Sequence, residues 1–154
     1  MITLQNIISP RGILEQKMSF SGKKFRRVRC ENVEELVKAA NINEHISRIL
    51  QCSAPTFCFT KLDDETFQFT LQTEEIQYTK NFRLGEELEM ERRDGCKVKI
   101  TYTMEGDNVL KQMIKQPDGK VAYFRREFGD TETKMIITTE GTNIQAFIYY
   151  EVVE

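Results

Sequence analysis

The sequence predicts an all-β protein: a closed up-and-down antiparallel barrel of about ten strands, capped by a two-helix helix-turn-helix. From Pro55 onward, apolar and polar residues alternate with a period of two, which is typical of antiparallel strands with one face in water. Turn-forming glycine, asparagine and acidic residues separate these strands at short intervals, so no crossover helix fits between them. A meander of this length protects its edges most readily by closing, and so wide a barrel leaves an interior cavity.

The composition indicates one domain and excludes several functional classes. The chain has 154 residues, 40% of them hydrophobic, which suits a single core. Its 22 basic and 24 acidic residues give a formal net charge of -2, without the basic excess typical of nucleic-acid binders. Four dispersed cysteines and one histidine show no zinc-ligand spacing, so we expect reduced thiols in a cytoplasmic protein. We predict no metal, no cofactor and no nucleic-acid partner.

The segment before the alternating strands predicts one strand and two short helices. The strand is expected over residues 22–30. Asn32 then lies where a helix N-cap belongs, because apolar residues recur behind it at helical spacing. Asn43 is expected to cap a second helix over residues 43–50. The pair lacks the basic face that DNA recognition needs, so we interpret it as a cap on the barrel.

One predicted strand carries a positive charge on its apolar face. Ala122, Phe124 and Phe128 share that face with Arg126, so Arg126 is predicted to point into the cavity. A buried arginine without a counter-charge is strongly destabilising, and an acidic ligand would supply that counter-charge. An internal partner, either water or a buried carboxylate, is the alternative.

The last predicted strand adds a hydroxyl group to the same interior. Ala146, Ile148, Tyr150 and Val152 alternate on one face, so Tyr150 is the expected inward hydroxyl near the chain end. A tyrosine hydroxyl and an arginine can bind a carboxylate together, although Tyr150 could equally pack in the core with water on its hydroxyl. The other predicted ligand-lining residues on these apolar faces are Ile148, Phe124, Tyr102, Phe57 and Phe69.

Several stretches of the chain match, in order, the motifs of one protein family. They are residues 18–23 (MSFSGK), 31–36 (ENVEEL), 82–88 (FRLGEEL), 94–99 (DGCKVK), 105–108 (EGDN) and 126–128 (REF). Residues 18–153 therefore resemble the intracellular lipid-binding family, which includes the fatty-acid-binding and cellular retinoid-binding proteins. The opening is nearest the liver and ileal types. The resemblance implies a ten-strand barrel under two helices that carries fatty acids, retinoids or bile acids through the cytosol.

The resemblance also implies a carboxylate site, from which this chain departs at one position. In many members an arginine matching Arg126 acts with an Arg-x-Tyr near the C-terminus. Tyr150 matches that tyrosine, but Ile148 stands where the second arginine is expected. The ligand could therefore bind in another orientation or be less acidic. The implied entrance lies beside the helices, near Val37 and Ile76, and simple packing of the cap is the alternative for both residues.

Two further departures concern the start of the barrel. The family usually has an aromatic residue at the position of Lys24, whereas here Phe25 follows one place later. Met18 matches the family's start, which makes residues 1–17 an N-terminal extension, disordered or arising from an alternative start. Residues 18–154 are then the lipid-binding domain.

The predicted function is to bind and transport long-chain fatty acids or similar hydrophobic carboxylates in the cytosol, as a monomer. A divergent member acting mainly through protein contacts, or binding a non-acidic lipid, is the alternative. An enzyme using Cys52 and His45 is disfavoured because no nucleophile elbow, phosphate loop or metal cluster accompanies them.

A basic run over residues 23–29 suggests a second kind of contact. Its five lysine and arginine side chains could meet anionic lipid headgroups in a transient membrane contact. A solvated strand at the edge of the sheet is the favoured alternative.

Overall fold

Ten antiparallel strands form one continuous sheet that curls into a barrel in this computed structural model, which describes residues 20–40, 55–73, 77–91 and 97–153. Its elements are β1 Lys24–Glu31, α1 Val33–Ala40, β2 Thr56–Lys61, β3 Thr66–Gln72, β4 Gln77–Arg83, β5 Leu88–Glu91, β6 Lys97–Glu105, β7 Val109–Lys115, β8 Val121–Phe128, β9 Glu132–Thr139 and β10 Ala146–Val153. The strand order is β4-β3-β2-β1-β10-β9-β8-β7-β6-β5. The predicted all-β meander is therefore confirmed, with β10 returning to pair with β1.

The barrel is nearly closed rather than closed, which corrects the sequence prediction. Within the described ranges, β4 and β5 form no ladder with each other. The turn between them bonds elsewhere: the Leu84 amide donates to the Glu65 carbonyl at 2.9 Å, and the Gly85 amide donates to the Tyr102 carbonyl at 2.8 Å. These two bonds hold the turn against β6 and against the β2–β3 connection. The strands β4 and β5 therefore separate as they leave the turn. A pocket of about 270 Å³ lies along this gap.

The first helix of the predicted cap is α1, which begins directly after β1. Its buried residues Val33, Leu36 and Ala40 pack on the core. Asn32 precedes the helix as predicted, but it adopts a φ of 62°, and its side-chain amide donates to the Gln145 carbonyl at 3.2 Å. Asparagine is one of the few residues that accept this left-handed conformation. Asn32 therefore ties the start of α1 to the segment before β10 instead of capping the helix with its side chain.

Several predicted features lie outside the described residues. They are the extension over residues 1–17 and its boundary with the domain, the second helix over residues 43–50, the turn at residues 94–95, and Ile76, His45 and Cys52. Among the parts of the chain that the structure describes, no helix is long and apolar enough to cross a membrane.

A β-bulge resets the inward face of β1. The pairing with β10 shifts by one residue between Arg27 and Arg29, which leaves Val28 as the extra residue, 50% exposed. Ahead of the bulge, Phe25 is buried and Lys24 is exposed. The aromatic residue that stands one place late in the sequence therefore still occupies the interior, and the bulge absorbs the offset.

The basic residues of β1 do not lie at a sheet edge, which corrects the favoured interpretation of that run. β1 lies between β2 and β10. Lys24, Arg26 and Arg29 are exposed on the outer face, and the Arg29 guanidinium carbon lies 3.7 Å from the centroid of the Tyr149 ring. Arg27 differs from them because it is half-buried and shares the inward side of β1 with Phe25.

The core contains a cluster of phenylalanines around Phe128, hereafter the aromatic cluster. The centroid of the Phe128 ring lies 4.1 Å from that of Phe20 and 5.7 Å from that of Phe25. It lies 6.5 Å from that of Phe57 and 6.3 Å from that of Phe59. Rings at such separations gain favourable pair energies beyond their burial. The aromatic cluster therefore joins β1, β2 and β8 across the barrel.

Candidate ligand-binding site

The candidate site is centred on the guanidinium of Arg126 in the middle of β8. Because side chains alternate along the strand, Arg126 shares the inward face with Phe124 and is only 6% exposed. Its Nη1 donates a 2.7 Å hydrogen bond to Oε1 of Gln112, which points inward from the neighbouring β7. The structure therefore places the charge inside the barrel, as the alternation predicted.

Aromatic rings surround the Arg126 guanidinium. Its carbon lies 5.1 Å from the ring centroid of Phe59, 5.6 Å from that of Phe57 and 5.8 Å from that of Phe124. Such distances fall within the range of cation–π attraction, which is electrostatic but weaker than a desolvated ion pair. The rings orient the cation and exclude water from its sides without neutralising it.

The described residues provide Arg126 with a neutral partner and no carboxylate. The Arg126 Nε is buried and has no hydrogen-bond partner among them. Burial lowers the pKa of Arg126, because the charged form is desolvated, while the phenol groups of Tyr102 and Tyr150 act in the opposite direction. The sequence left an internal partner for Arg126, either water or a buried carboxylate, as the alternative to an acidic ligand. Within the described ranges no carboxylate bonds to Arg126. The partner observed is the Gln112 amide.

Tyr150 on β10 lies in the same electrostatic neighbourhood. It is buried, and its ring meets the Phe57 ring edge-on with centroids 4.6 Å apart. Burial raises the pKa of Tyr150, and the positive charges of Arg126 and Arg27 act in the opposite direction. The hydroxyl is therefore a neutral donor at physiological pH, within the electrostatic influence of two cations.

Tyr102 supplies a second inward phenol from β6. Its ring stacks on that of Phe82 with centroids 3.9 Å apart. Burial raises the pKa of Tyr102 well above its ordinary value, and the charge of Arg126 acts in the opposite direction. Tyr102 can consequently donate a hydrogen bond to an anion throughout the neutral range.

The remaining predicted site residues differ in how far they enter the interior. Phe57, Phe124 and Ile148 are buried in the core, with Ile148 only 1% exposed. Phe69 and Val37 are partly buried and pack against that core. Val37 lies on α1, which leaves both the entrance and the packing interpretation open for it. Ile76 lies outside the described residues.

Among the polar residues that sequence reasoning missed, Gln112, Thr133 and Arg27 bear on this site. Gln112 stands on an alternating face between Leu110 and Ile114, the same signal that identified Arg126. The Thr133 side chain is 1% exposed, its hydroxyl has no hydrogen-bond partner among the described residues, and it pairs across β9–β10 with Tyr150. Arg27 carried the same signal, because it lies two residues after the buried Phe25 on β1.

The arrangement is a polar group of guanidinium, amide and hydroxyl donors on the wall of an aromatic and aliphatic interior. Donors of this kind bind a carboxylate well, whereas the surrounding rings favour an apolar chain. Within the described ranges, no group of three His, Cys, Asp or Glu side chains is placed to hold a metal ion. The geometry therefore favours an amphiphile with an acidic head.

Comparison with known proteins finds similarity to fatty acid-binding and retinoic acid-binding proteins. No protein-family model matches the chain. A fatty acid-binding protein of Clonorchis sinensis is 30% identical over 124 residues, 79% of this chain and 91% of the relative. Cellular retinoic acid-binding protein 2 of Rattus norvegicus is 30% identical over 131 residues, with the same two coverages of 79% and 91%. The solved structure of the fatty-acid-binding protein isolated from Manduca sexta superposes with a TM-score of 0.73 at 26% identity, covering 86% of this chain and 98% of that one.

Proposed function

The chain belongs to the intracellular lipid-binding family, and from this premise we propose that it binds a long-chain fatty acid or a similar hydrophobic carboxylate inside the barrel. The two relatives from Clonorchis sinensis and Rattus norvegicus are named for fatty acid and retinoic acid, both of which join an apolar chain to one carboxylate. The nearness of the opening segment to the liver and ileal types stays a prediction.

The observation that carries the proposal is the buried, incompletely bonded guanidinium of Arg126. A bound carboxylate would supply both the counter-charge and an acceptor for Nε, the two things that the described residues do not provide. The phenols of Tyr102 and Tyr150, each within electrostatic range of Arg126, are the further donors for that carboxylate.

The apolar tail and the acidic head of the ligand are expected to contribute differently to the free energy of binding. Burying an acyl chain contributes about 0.8 kcal/mol per methylene, so the apolar tail dominates the affinity. A charge-assisted hydrogen bond adds about 1.5–3 kcal/mol, and association costs remove part of the total. Arg126 therefore acts mainly on head-group preference and on the orientation of the ligand.

The test is a comparison of two ligands that differ only in their head group. Oleate and oleyl alcohol, delivered from cyclodextrin, are titrated calorimetrically into delipidated wild-type protein, Arg126→Met and Arg125→Met. Arg125 is the matched control, because it lies on the outer face of the same strand, where it pairs with Glu105 and Glu127. Native mass spectrometry of protein purified without delipidation adds the identity of any lipid that is retained.

We expect Arg126→Met to weaken oleate about 10- to 100-fold, the equivalent of one charge-assisted hydrogen bond. Oleyl alcohol should change by less than about threefold, and Arg125→Met should leave both ligands unaffected. Equal losses for oleate and oleyl alcohol would overturn the head-group role. A wild-type protein that binds neither of them, nor retinoic acid nor a bile acid, would overturn the proposed function and favour protein contacts.

We propose further that the protein is a cytosolic monomeric carrier and not an enzyme, in keeping with relatives that are named as binding proteins. Delivery through a transient membrane contact is supported by the exposed basic side chains of Lys24, Arg26 and Arg29 on the outer face of β1. One observation favours a less acidic ligand as the second candidate: Ile148 occupies an apolar, fully buried position where the family's second arginine is expected. The oleyl alcohol titration tests this candidate directly.

A further inference from the structure

One arginine of the basic run lies on the inner face of β1, two residues after Phe25 and ahead of the bulge. Arg27 lies directly opposite Tyr150 in the β1–β10 ladder, and side chains opposite one another on paired strands point to the same face. Tyr150 is buried among the rings of the core, so this face is the inner one. The Arg27 Nη2 lies 3.0 Å from Sγ of Cys30, the next residue of β1 on that side. Arg27 is half-buried there.

The neighbours of Arg27 form a second polar position beside the Arg126 guanidinium. Thr133 pairs with Tyr150 from the other side, so Arg27, Tyr150 and Thr133 form a row across three adjacent strands. The Thr133 hydroxyl is fully buried without a hydrogen-bond partner among the described residues. A buried hydroxyl without a described partner, next to an inward phenol and an inward cation, indicates a place for an acceptor atom that the described residues do not supply.

The same row lies next to the position where a second arginine is missing. Cys30 is directly opposite Ile148, so the β1 residues facing Ile148 and Tyr150 are Cys30 and Arg27. A cation on β1 opposite Tyr150 can reach the space that a cation at residue 148 on β10 would occupy. We propose that Arg27 is the second cation of the head-group site, so that a carboxylate binds between Arg27 and Arg126 with Tyr150 and Thr133 as hydroxyl partners. This inference rests on the proposed function.

The consequence for ligand choice is opposite to that suggested by Ile148 alone. With Arg27 counted, two guanidinium groups lie on the inner face of the sheet, one buried and one half-buried, and Tyr150 experiences the charge of both. Arg27 on β1 then supplies the positive charge that an arginine at residue 148 on β10 would supply. The site should prefer a carboxylate over an alcohol by more than Arg126 alone produces.

The chain offers a closely matched control for this proposal. Arg26 precedes Arg27 on the same strand, is exposed on the outer face, and carries the same charge. Arg27→Met and Arg26→Met therefore change the net charge equally and differ in the face from which the charge is removed. Arg27→Lys keeps the charge but removes the planar fork that pairs with carboxylates in two places.

Oleate and oleyl alcohol are titrated into the delipidated full chain and into these three variants. We expect Arg27→Met to weaken oleate about 5- to 20-fold, with Arg27→Lys intermediate and Arg26→Met within about twofold of wild type. Oleyl alcohol should change by less than about threefold in every variant. If Arg27→Met binds oleate as tightly as Arg26→Met does, the proposal is overturned even though oleate binds. Failure of the wild-type protein to bind oleate overturns the proposed function itself, and this inference with it.

A second measurement needs no mutation and so does not depend on how the variants fold. Cys30 is exposed and contacts Arg27, whereas Cys58 lies on β2 away from the inner face, between Phe57 and Phe59. Labelling with N-ethylmaleimide, followed by peptide mass spectrometry, gives a rate for each thiol with and without saturating oleate. We expect oleate to slow the labelling of Cys30 at least fivefold while the rate at Cys58 stays constant. An unchanged rate at Cys30 in oleate-saturated protein would contradict a head group bound beside Arg27.

Discussion

Removing the buried charge of Arg126 should stabilise the ligand-free protein while weakening its binding of carboxylates. The perturbation is the double variant Arg126→Met/Gln112→Leu, which replaces both members of the 2.7 Å hydrogen bond with apolar side chains of similar length. Methionine is flexible enough to fill the space among the rings of Phe57, Phe59 and Phe124.

The magnitude follows from what each change removes. The unsatisfied Arg126 Nε is a buried donor, worth about 1–3 kcal/mol of lost stability. Replacing buried ionic groups with well-packed apolar ones is commonly neutral or stabilising by about 1–4 kcal/mol. Arg126→Met alone leaves the Gln112 amide without its partner, at a cost of about 1–3 kcal/mol, so the single variant should lie near wild type. The double variant should exceed wild type by about 1–4 kcal/mol.

The assay is urea unfolding of delipidated protein followed by far-ultraviolet circular dichroism, since the chain has no tryptophan to report by fluorescence. A higher midpoint at an unchanged slope identifies a gain in stability. At equal oleate concentration the midpoint of wild type should rise more than that of the double variant, because ligand stabilisation grows with the logarithm of the ratio of free ligand to Kd. A double variant less stable than wild type by more than about 1 kcal/mol would refute the reasoning, since Arg126 and Gln112 would then stabilise the ligand-free fold.

Three further predictions concern the framework of the site. Phe128→Ala should lower the free energy of unfolding by about 3–5 kcal/mol, because it leaves a cavity at the centre of the aromatic cluster. Tyr123→Ala, on the exposed face of the same strand, should lower it far less. Urea unfolding measures both. Burial raises the pKa of Tyr102 above its ordinary 10.0, so the phenol loses its proton at a lower pH in the unfolded chain than in the folded protein. The free energy of unfolding should therefore fall above about pH 10. Tyr102→Phe should make this fall less steep in unfolding midpoints measured between about pH 9 and 11. Equal slopes in both proteins would contradict the assignment. Asn32→Ala should destabilise by about 1 kcal/mol and Asn32→Gly by less, since glycine accepts the φ of 62°, and the opposite order in thermal unfolding would contradict the backbone argument.

The barrel and its central charge could be predicted from the sequence because strand alternation is a local property. A period of two fixes which side chains share a face, so Phe124 and Arg126 could be assigned to the interior without any knowledge of tertiary contacts. The same rule applied to β10 placed Ile148 and Tyr150 together. Gln112 carried the identical signal on β7 and was within reach of the same reasoning.

The remaining features depend on interactions that alternation does not encode. The bulge at Val28 changes the phase of β1, so Arg27 and Cys30 share the inner face although they are three residues apart. A strict period of two would place those two residues on opposite faces. The gap between β4 and β5 depends on where the turn amides of Leu84 and Gly85 find their acceptors, which is a property of the assembled sheet. No local pattern distinguishes that turn from one that closes the ladder.

The polar groups of the interior are better explained by a ligand than by stability. Among the described residues, the Arg126 guanidinium has one neutral hydrogen-bond partner and the buried Thr133 hydroxyl has none, and both conditions lower the stability of the ligand-free protein. An anion held between Arg126 and Arg27 would relieve the first defect directly, and its second oxygen could relieve the one at Thr133. Ligand binding and folding stability are then linked through the same few atoms. The substitutions that make the empty barrel more stable should therefore be those that make it a poorer carrier of carboxylates.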